Sequence, residues 1–257
     1  MWPSASGNCR RPRRPSIVDS YPNDVLEFPP TVGHYRQLCR LRRFTSSSSR
    51  VPEDAETIMV ELSRYSLDLV REDAEFMLYR AHSKQLEPPS ILLLTPSSTR
   101  PSPETLEKIN HEYSLSSELD NLWALQPLAI SSYNDKRVLV LEDPGGMPLN
   151  RLVEGPMEIK LFLRLAIQIS DAVGQLHRHR LIHKDLKPSN VFVALESGRV
   201  WLTGFGIASR LARERQPLEP PEFIAGTLPY MAPEQTGRMN RSIDSRSDLY
   251  ALGVTLY

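Results

Sequence analysis

The sequence predicts an α+β chain with two lobes, and three observations carry that prediction. Short apolar segments bounded by polar or proline-rich stretches, the pattern of strands, dominate the first half of the patterned region. An acidic, glycine-containing turn, Asp143-Pro144-Gly145-Gly146, closes them. Beyond it lies the clearest amphipathic helix of the chain.

Residues 1–50 stand apart. They hold nine arginines, no lysine and three acids, a net charge of +6, which leaves 22 cations against 28 anions, or −6, for residues 51–257. This Pro-rich, Arg-rich stretch ends in Ser46–Ser49 without sustained periodicity and reads as a disordered tail. The acidic balance of the rest excludes a global basic footprint, so nucleic acid is not an expected partner. Two cysteines, Cys9 and Cys39, make neither a disulfide framework nor a metal quartet. No apolar run approaches the roughly 18–20 residues that span a bilayer. The amino terminus turns directly to arginine and proline instead of an apolar signal core. A soluble cytoplasmic protein is expected.

From residue 51 onward periodicity sets in. Phe76–Arg80 and Ser90–Leu94 read as strands. Pro103–Leu119 reads as a polar helix, with Ser102 at the N-cap and proline in the first turn. Lys136–Leu141 is a further strand, ended by the acidic-glycine turn. Over Met157–His179, Phe162, Leu165, Ala166, Ile169, Ala172, Val173 and Leu176 form one apolar stripe at helical spacing. Val191–Ala194 and Val200–Leu202 flank the turn Glu196-Ser197-Gly198 as a hairpin. Leu249–Tyr257 starts a helix that is apolar almost all round, the pattern of a buried element.

The chemistry lies in the second half. His183-Lys184-Asp185-Leu186-Lys187-Pro188-Ser189-Asn190 matches the kinase catalytic loop H-x-D-x-K-x-x-N position by position. Gly226-Thr227, Tyr230-Met231-Ala232-Pro233-Glu234 and Asp248–Gly253 follow in order. On these motifs the chain resembles a eukaryotic-type Ser/Thr protein kinase domain over residues 65–257. Pro233–Tyr257 in particular resembles the kinase-like module at the front of bacterial and fungal hybrid proteins that continue into an ATPase region and a sensor histidine kinase. The resemblance implies a bilobal kinase fold in residues 51–257, with an N-lobe at about 65–142, a hinge at 142–146 and a helical C-lobe at 147–257 that is cut short. It also implies a piece of a longer signalling protein, marginally folded on its own.

The same resemblance assigns roles. Asp185 would orient and deprotonate an attacking hydroxyl, Lys187 would neutralise charge on the moving phosphoryl group, and Asn190 would hold a metal ion. Thr227 would hydrogen-bond the catalytic loop, and His183 would be a packed structural histidine. Asp248 has two readings, a helix-start cap or an acceptor for backbone N–H groups of the catalytic loop, the second being preferred. Ala232, Pro233 and Glu234 would close the activation segment, Glu234 pairing with an arginine beyond residue 257. Leu141, Glu142, Asp143, Gly145 and Gly146 would lie beside an adenine. Arg238, Arg241 and Arg246 read as solvated surface.

Departures from the family pattern decide the functional expectation. The D-F-G motif reads Gly204-Phe205-Gly206, so its Mg²⁺ carboxylate is missing. The strand that should carry V-A-I-K reads Ser90-Ile91-Leu92-Leu93-Leu94-Thr95, and Lys84 is out of register. Residues 66–80 contain no glycine to cradle a triphosphate. Glu112 matches the glutamate of the N-lobe helix but is expected on an exposed helix face. Lys184 replaces the usual arginine and lacks the fork that grips an activation-loop phosphate. An impaired, pseudokinase-like signalling domain is therefore expected, with downstream signalling domains as partners. The alternative is an active Ser/Thr kinase using ATP and Mg²⁺ on protein substrates.

Overall fold

Five strands form one antiparallel sheet because their sequences alternate or run apolar over seven residues each. They are β1 (Ser66–Glu72), β2 (Phe76–His82), β3 (Ser90–Pro96), β4 (Pro127–Tyr133) and β5 (Lys136–Glu142), in the order β1-β2-β3-β5-β4. The computed structural model describes residues 65–84, 86, 88–134, 136–153, 155–210, 225–238 and 242–257. All belong to one unit, Asp54–Tyr257. The arginine-rich segment 1–50 and Arg241 lie outside the described residues.

Central β3 is buried from Ile91 through Pro96, as its unbroken apolar run requires of a strand covered on both faces. One face gathers Leu78, Leu92, Leu94, Leu139 and Leu141 with Ile109. The other gathers Tyr65, Ala81, Ile91, Leu93, Ala129, Val138 and Val140.

Helix α1 (Pro103–Ser114) packs on the first face through Ile109. Its start is as expected: the Ser102 hydroxyl accepts the Thr105 N–H at 3.3 Å. Its end is not. The helix expected to reach Leu119 stops at Ser114, and the chain tightens into turns, with Leu115 N–H on the Glu112 carbonyl at 3.2 Å and Glu118 N–H on the Leu115 carbonyl at 2.8 Å. This swings Leu115 and Leu119 into the core of the second lobe beside Trp123.

The second lobe contains β6 (Met147–Pro148), α2 (Leu149–Leu152), α3 (Ile159–Arg178), β7 (Leu181–Ile182), β8 (Val191–Ala194), β9 (Arg199–Leu202), β10 (Ser209–Arg210) and α4 (Ser245–Leu256). The α3 stripe buries Leu165, Ile169, Ala172, Val173 and Leu176. Each large member stabilises the lobe by about 1.5–3 kcal/mol. The α4 helix buries Ala251 and Leu252 but leaves Leu249 and Tyr250 exposed, so only part of its apolar surface is covered. Phe192 and Trp201 of the β8–β9 hairpin join Leu78, Leu92 and Leu141 in a single apolar cluster that runs from the sheet into the second lobe. Among the described residues no helix is long and apolar enough to cross a membrane.

Candidate active site

The catalytic loop leaves β7 at His183, passes Lys184 in the left-handed region (φ 67°) and reaches β8 through a 3-10 turn at Pro188–Asn190. Helix α4 holds this loop through one side chain. The buried Asp248 carboxylate accepts the N–H groups of His183 and Lys184, each at 2.9 Å, and Nε2–H of His177 at 2.9 Å. The helix start is capped by Asp244, whose side chain accepts the Arg246 N–H. His183 is fully buried. Its Nε2–H donates to the Thr203 carbonyl at 3.0 Å, while Nδ1 accepts the Asp185 N–H at 3.3 Å. Both contacts need a neutral ring, and burial lowers its pKa below the usual value.

Asp185 is ringed by donors. Thr227 Oγ1 donates to Oδ1 at 2.7 Å, Asn190 Nδ2 to Oδ2 at 3.1 Å, and the Lys187 ammonium lies 3.0 Å from Oδ2. Lys187 also donates to Thr227 Oγ1 at 2.7 Å. The stretch containing Thr227 is thereby tied to the loop. Gln235 ties it again, donating from Nε2 to the Lys184 carbonyl at 2.8 Å and accepting the Ala232 N–H at 3.1 Å. Glu234, next to Pro233, is buried and accepts the Ser247 hydroxyl at 2.7 Å, a partner on α4 that the sequence reading did not foresee. Of the surface arginines, Arg238 is exposed and Arg246 pairs with Asp244.

Gly204-Phe205-Gly206 follows β9. Gly204 adopts φ 84°, and a Cβ built there would lie 2.9 Å from Cγ, Nδ2 and Oδ1 of Asn190. A side chain at 204 would thus point straight at the Asn190 amide, and none is there. Phe205 is buried against His183 and edge-on to Trp123, at centroid distances of 4.9 and 6.3 Å. Gly206 runs close to Lys108 of α1.

Glu112 corrects the expectation of an exposed helix face, because it is only 2% exposed. Its helix face turns toward the second lobe, where Oε1 accepts the Gly204 N–H at 3.3 Å. Burial pushes its carboxyl above the ordinary range, opposed by the Phe205 N–H, the Arg71 charge and the Gly204 N–H.

The sequence reading missed Arg71. This β1 guanidinium is 5% exposed and crosses the cleft, donating from Nη1 to Asn190 Oδ1 at 2.6 Å and to the Ser189 carbonyl at 3.0 Å. A bulge aims it there. Leu69 pairs with Tyr79, on the outer face, but the register then slips so that Arg71 pairs with Leu78, on the cleft face. An arginine in an alternating strand gives no such signal in sequence.

The β1–β2 turn is also held down. Asp73 Oδ1 accepts the N–H groups of Glu75 and Phe76, and the Glu75 carboxylate receives Lys108 at 2.6 Å and Thr105 at 3.0 Å from α1. At the Asp143–Gly146 turn, Arg80 of β2 grips Asp143 with bonds of 2.8 and 3.1 Å and reaches the Gly146 carbonyl at 2.6 Å, while the Ser90 hydroxyl also donates to Asp143. Gly145 N–H turns back onto Asp143 at 3.0 Å. Leu141 is buried in the cluster that spans both lobes, and the Glu142 N–H is taken by the Gln126 carbonyl at 2.9 Å. Gly146 sits so close to β8 that a Cβ would collide with the Val193 carbonyl. Leu94 faces the same cluster as Ile109, one turn before Glu112, and Lys84 is exposed beyond β2.

Two lobes, with H-x-D-x-K-x-x-N on the loop between β7 and β8, define the protein kinase class. Comparison with known proteins agrees: the protein kinase domain family matches residues 95–257, and the chain belongs to that family. The match begins at the end of β3, past the glycine-free turn and the strand that lacks its lysine. Among the curated relatives are bacterial Ser/Thr kinases. The serine/threonine-protein kinase Pkn1 of Myxococcus xanthus is 38% identical over 122 residues, covering 46% of this chain and 17% of the relative. A probable serine/threonine-protein kinase PknB of Lactococcus lactis is 32% identical over 130 residues, 50% of this chain and 20% of the relative. A probable serine/threonine-protein kinase of Clostridium perfringens is 26% identical over 198 residues, 76% of this chain and 28% of the relative. The chain thus spans less than a third of the length of these relatives, and its domain is of the Ser/Thr protein kinase type.

Proposed function

We propose that this domain is a pseudokinase-like signalling module in which phosphoryl transfer is impaired. The observation that carries this reading is the state of the metal position. The family implies ATP with Mg²⁺, and the residues present do not fit the metal. Gly204 offers no carboxylate, Asn190 Oδ1 is occupied by Arg71, and among the described residues no three His, Cys, Asp or Glu side chains are placed to hold a metal ion together. Each ~1.4 kcal/mol of lost transition-state stabilisation is tenfold in rate, and a metal supplies several kcal/mol. The module would act by presenting a folded surface to attached or partner signalling domains. The likeness of Pro233–Tyr257 to hybrid kinase–histidine kinase proteins supports a place at the front of such a chain.

A second reading, an active Ser/Thr kinase acting on protein hydroxyls, draws on the intact Asp185, Lys187 and Thr227 triangle. Transfer of radiolabelled γ-phosphate from ATP to a generic protein substrate, in Mg²⁺ and in Mn²⁺, separates the two. The module reading predicts no turnover above background. Turnover near the ~1–100 s⁻¹ usual for kinases would refute it.

A further inference from the structure

Arg71 is a buried cation whose hydrogen bonds end on the loop that would otherwise hold a metal. The negative charges of Asp73, Glu112 and Asp185 favour its charged form. Its Nε has no hydrogen-bond partner and lies 3.7 Å from Asp73 Oδ2, so its two strong contacts are those to the catalytic loop. Burying an arginine costs several kcal/mol unless its charge is matched, so such a group is held only where anions and acceptors converge. Here the acceptors are Asn190 Oδ1 and the Ser189 carbonyl, and the Asn190 amide, which also reaches Asp185, is what a side chain at Gly204 would meet. The bulge in β1 is what turns Arg71 toward these acceptors instead of the outer face of the sheet.

We propose that the Arg71 guanidinium is a resident cation in the metal's place, which holds Asn190 and the catalytic loop closed without any ligand and keeps a divalent ion out. The proposal deepens the module reading and rests on it. It explains why two departures occur together. A carboxylate at 204 would need the Asn190 amide to move, and Arg71 pins that amide. A metal next to Asn190 would have to displace a hydrogen-bonded guanidinium of the same sign of charge. Restoring the aspartate alone therefore does not restore the site.

The test is Mn²⁺ binding to the full chain, without nucleotide, followed by electron paramagnetic resonance of the free ion. Five proteins are compared: wild type, Gly204→Asp, Arg71→Met, the double variant of these two, and Arg71→Lys with Gly204→Asp. The proposal expects the double variant to bind Mn²⁺ roughly tenfold or more tighter than either single variant, a coupling of the size seen for residues that share a site. Arg71→Lys with Gly204→Asp, which keeps the positive charge, is expected to stay weak. A wild type that binds Mn²⁺, a Gly204→Asp variant that binds as tightly as the double, or a double variant no better than the singles would each overturn it. Those outcomes are read without activity, so the proposal can fail while the phosphotransfer assay still supports the module reading. If Arg71→Met does not fold, side-chain NMR decides on the wild type. One arginine with slowly exchanging Nη–H signals, absent from Arg71→Lys, is expected; uniformly fast arginine exchange overturns the proposal.

Discussion

His183 shows how far one buried side chain governs the loop. It lies between the Thr203 carbonyl and the Asp185 N–H and must be neutral to serve both. Burial lowers its pKa from the ordinary 6.5. The folded state thus binds this proton less readily than the unfolded chain. The stability it contributes is fully present above about pH 6.5 and is lost as pH falls through the lower, folded value. Urea unfolding from about pH 7 to about pH 5 should show that loss, with a slope no steeper than the ~1.4 kcal/mol per pH unit of a single proton. The slope should flatten in His183→Gln; an unchanged slope in that variant would place the titration elsewhere. The structural role of His183 could be read from its motif. The burial of Glu112 could not, because a glutamate on a polar helix looks the same whether its face meets water or a second lobe. Arg71 was hidden for a related reason: only the bulge in β1 tells which face it takes.

At the scale of elements, legibility follows the strength of the local pattern. The apolar runs at β2, β3 and β5 and the stripe of α3 were readable within two residues at each end. Strand β1 was not, since its bulge breaks the alternation, and β4 opens on Pro127 and carries Ser131 and Ser132, weak strand formers. The early end of α1 is a tertiary effect, set by where Leu115 and Leu119 must pack. The turn Asp143-Pro144-Gly145-Gly146 was legible, but its lock to β2 was not, because Arg80 lies 63 residues away. Asp143→Ala leaves Arg80 facing the turn without its carboxylate. Because Asp143 is nearly buried and Arg80 mostly so, a loss of about 3 kcal/mol is expected, the low end for a broken buried pair. Chemical denaturation measures this directly. A loss under about 1 kcal/mol, the scale of a surface pair, would show that the lock is dispensable.

Across the whole molecule, among the described residues, the lobes are joined by apolar clusters and by side-chain ties across the cleft. Leu78, Leu92 and Leu141 meet Phe192 and Trp201 in the interior, Arg80 holds the Asp143–Gly146 turn, and Arg71 holds the catalytic loop. The fold class and the order of the kinase motifs could be read from sequence, because each motif is local. Closure of the cleft from within depends on contacts between distant segments, and no single motif records it. Closure without a ligand is the central claim, and thermal unfolding of the full chain with ATP, with and without Mg²⁺, tests it most directly. A ligand present at about 100 times its Kd stabilises a fold by about 2.7 kcal/mol, enough to raise the Tm by several degrees. The account predicts the same Tm in all conditions, whereas a Mg²⁺-dependent rise of that size with ATP would contradict it.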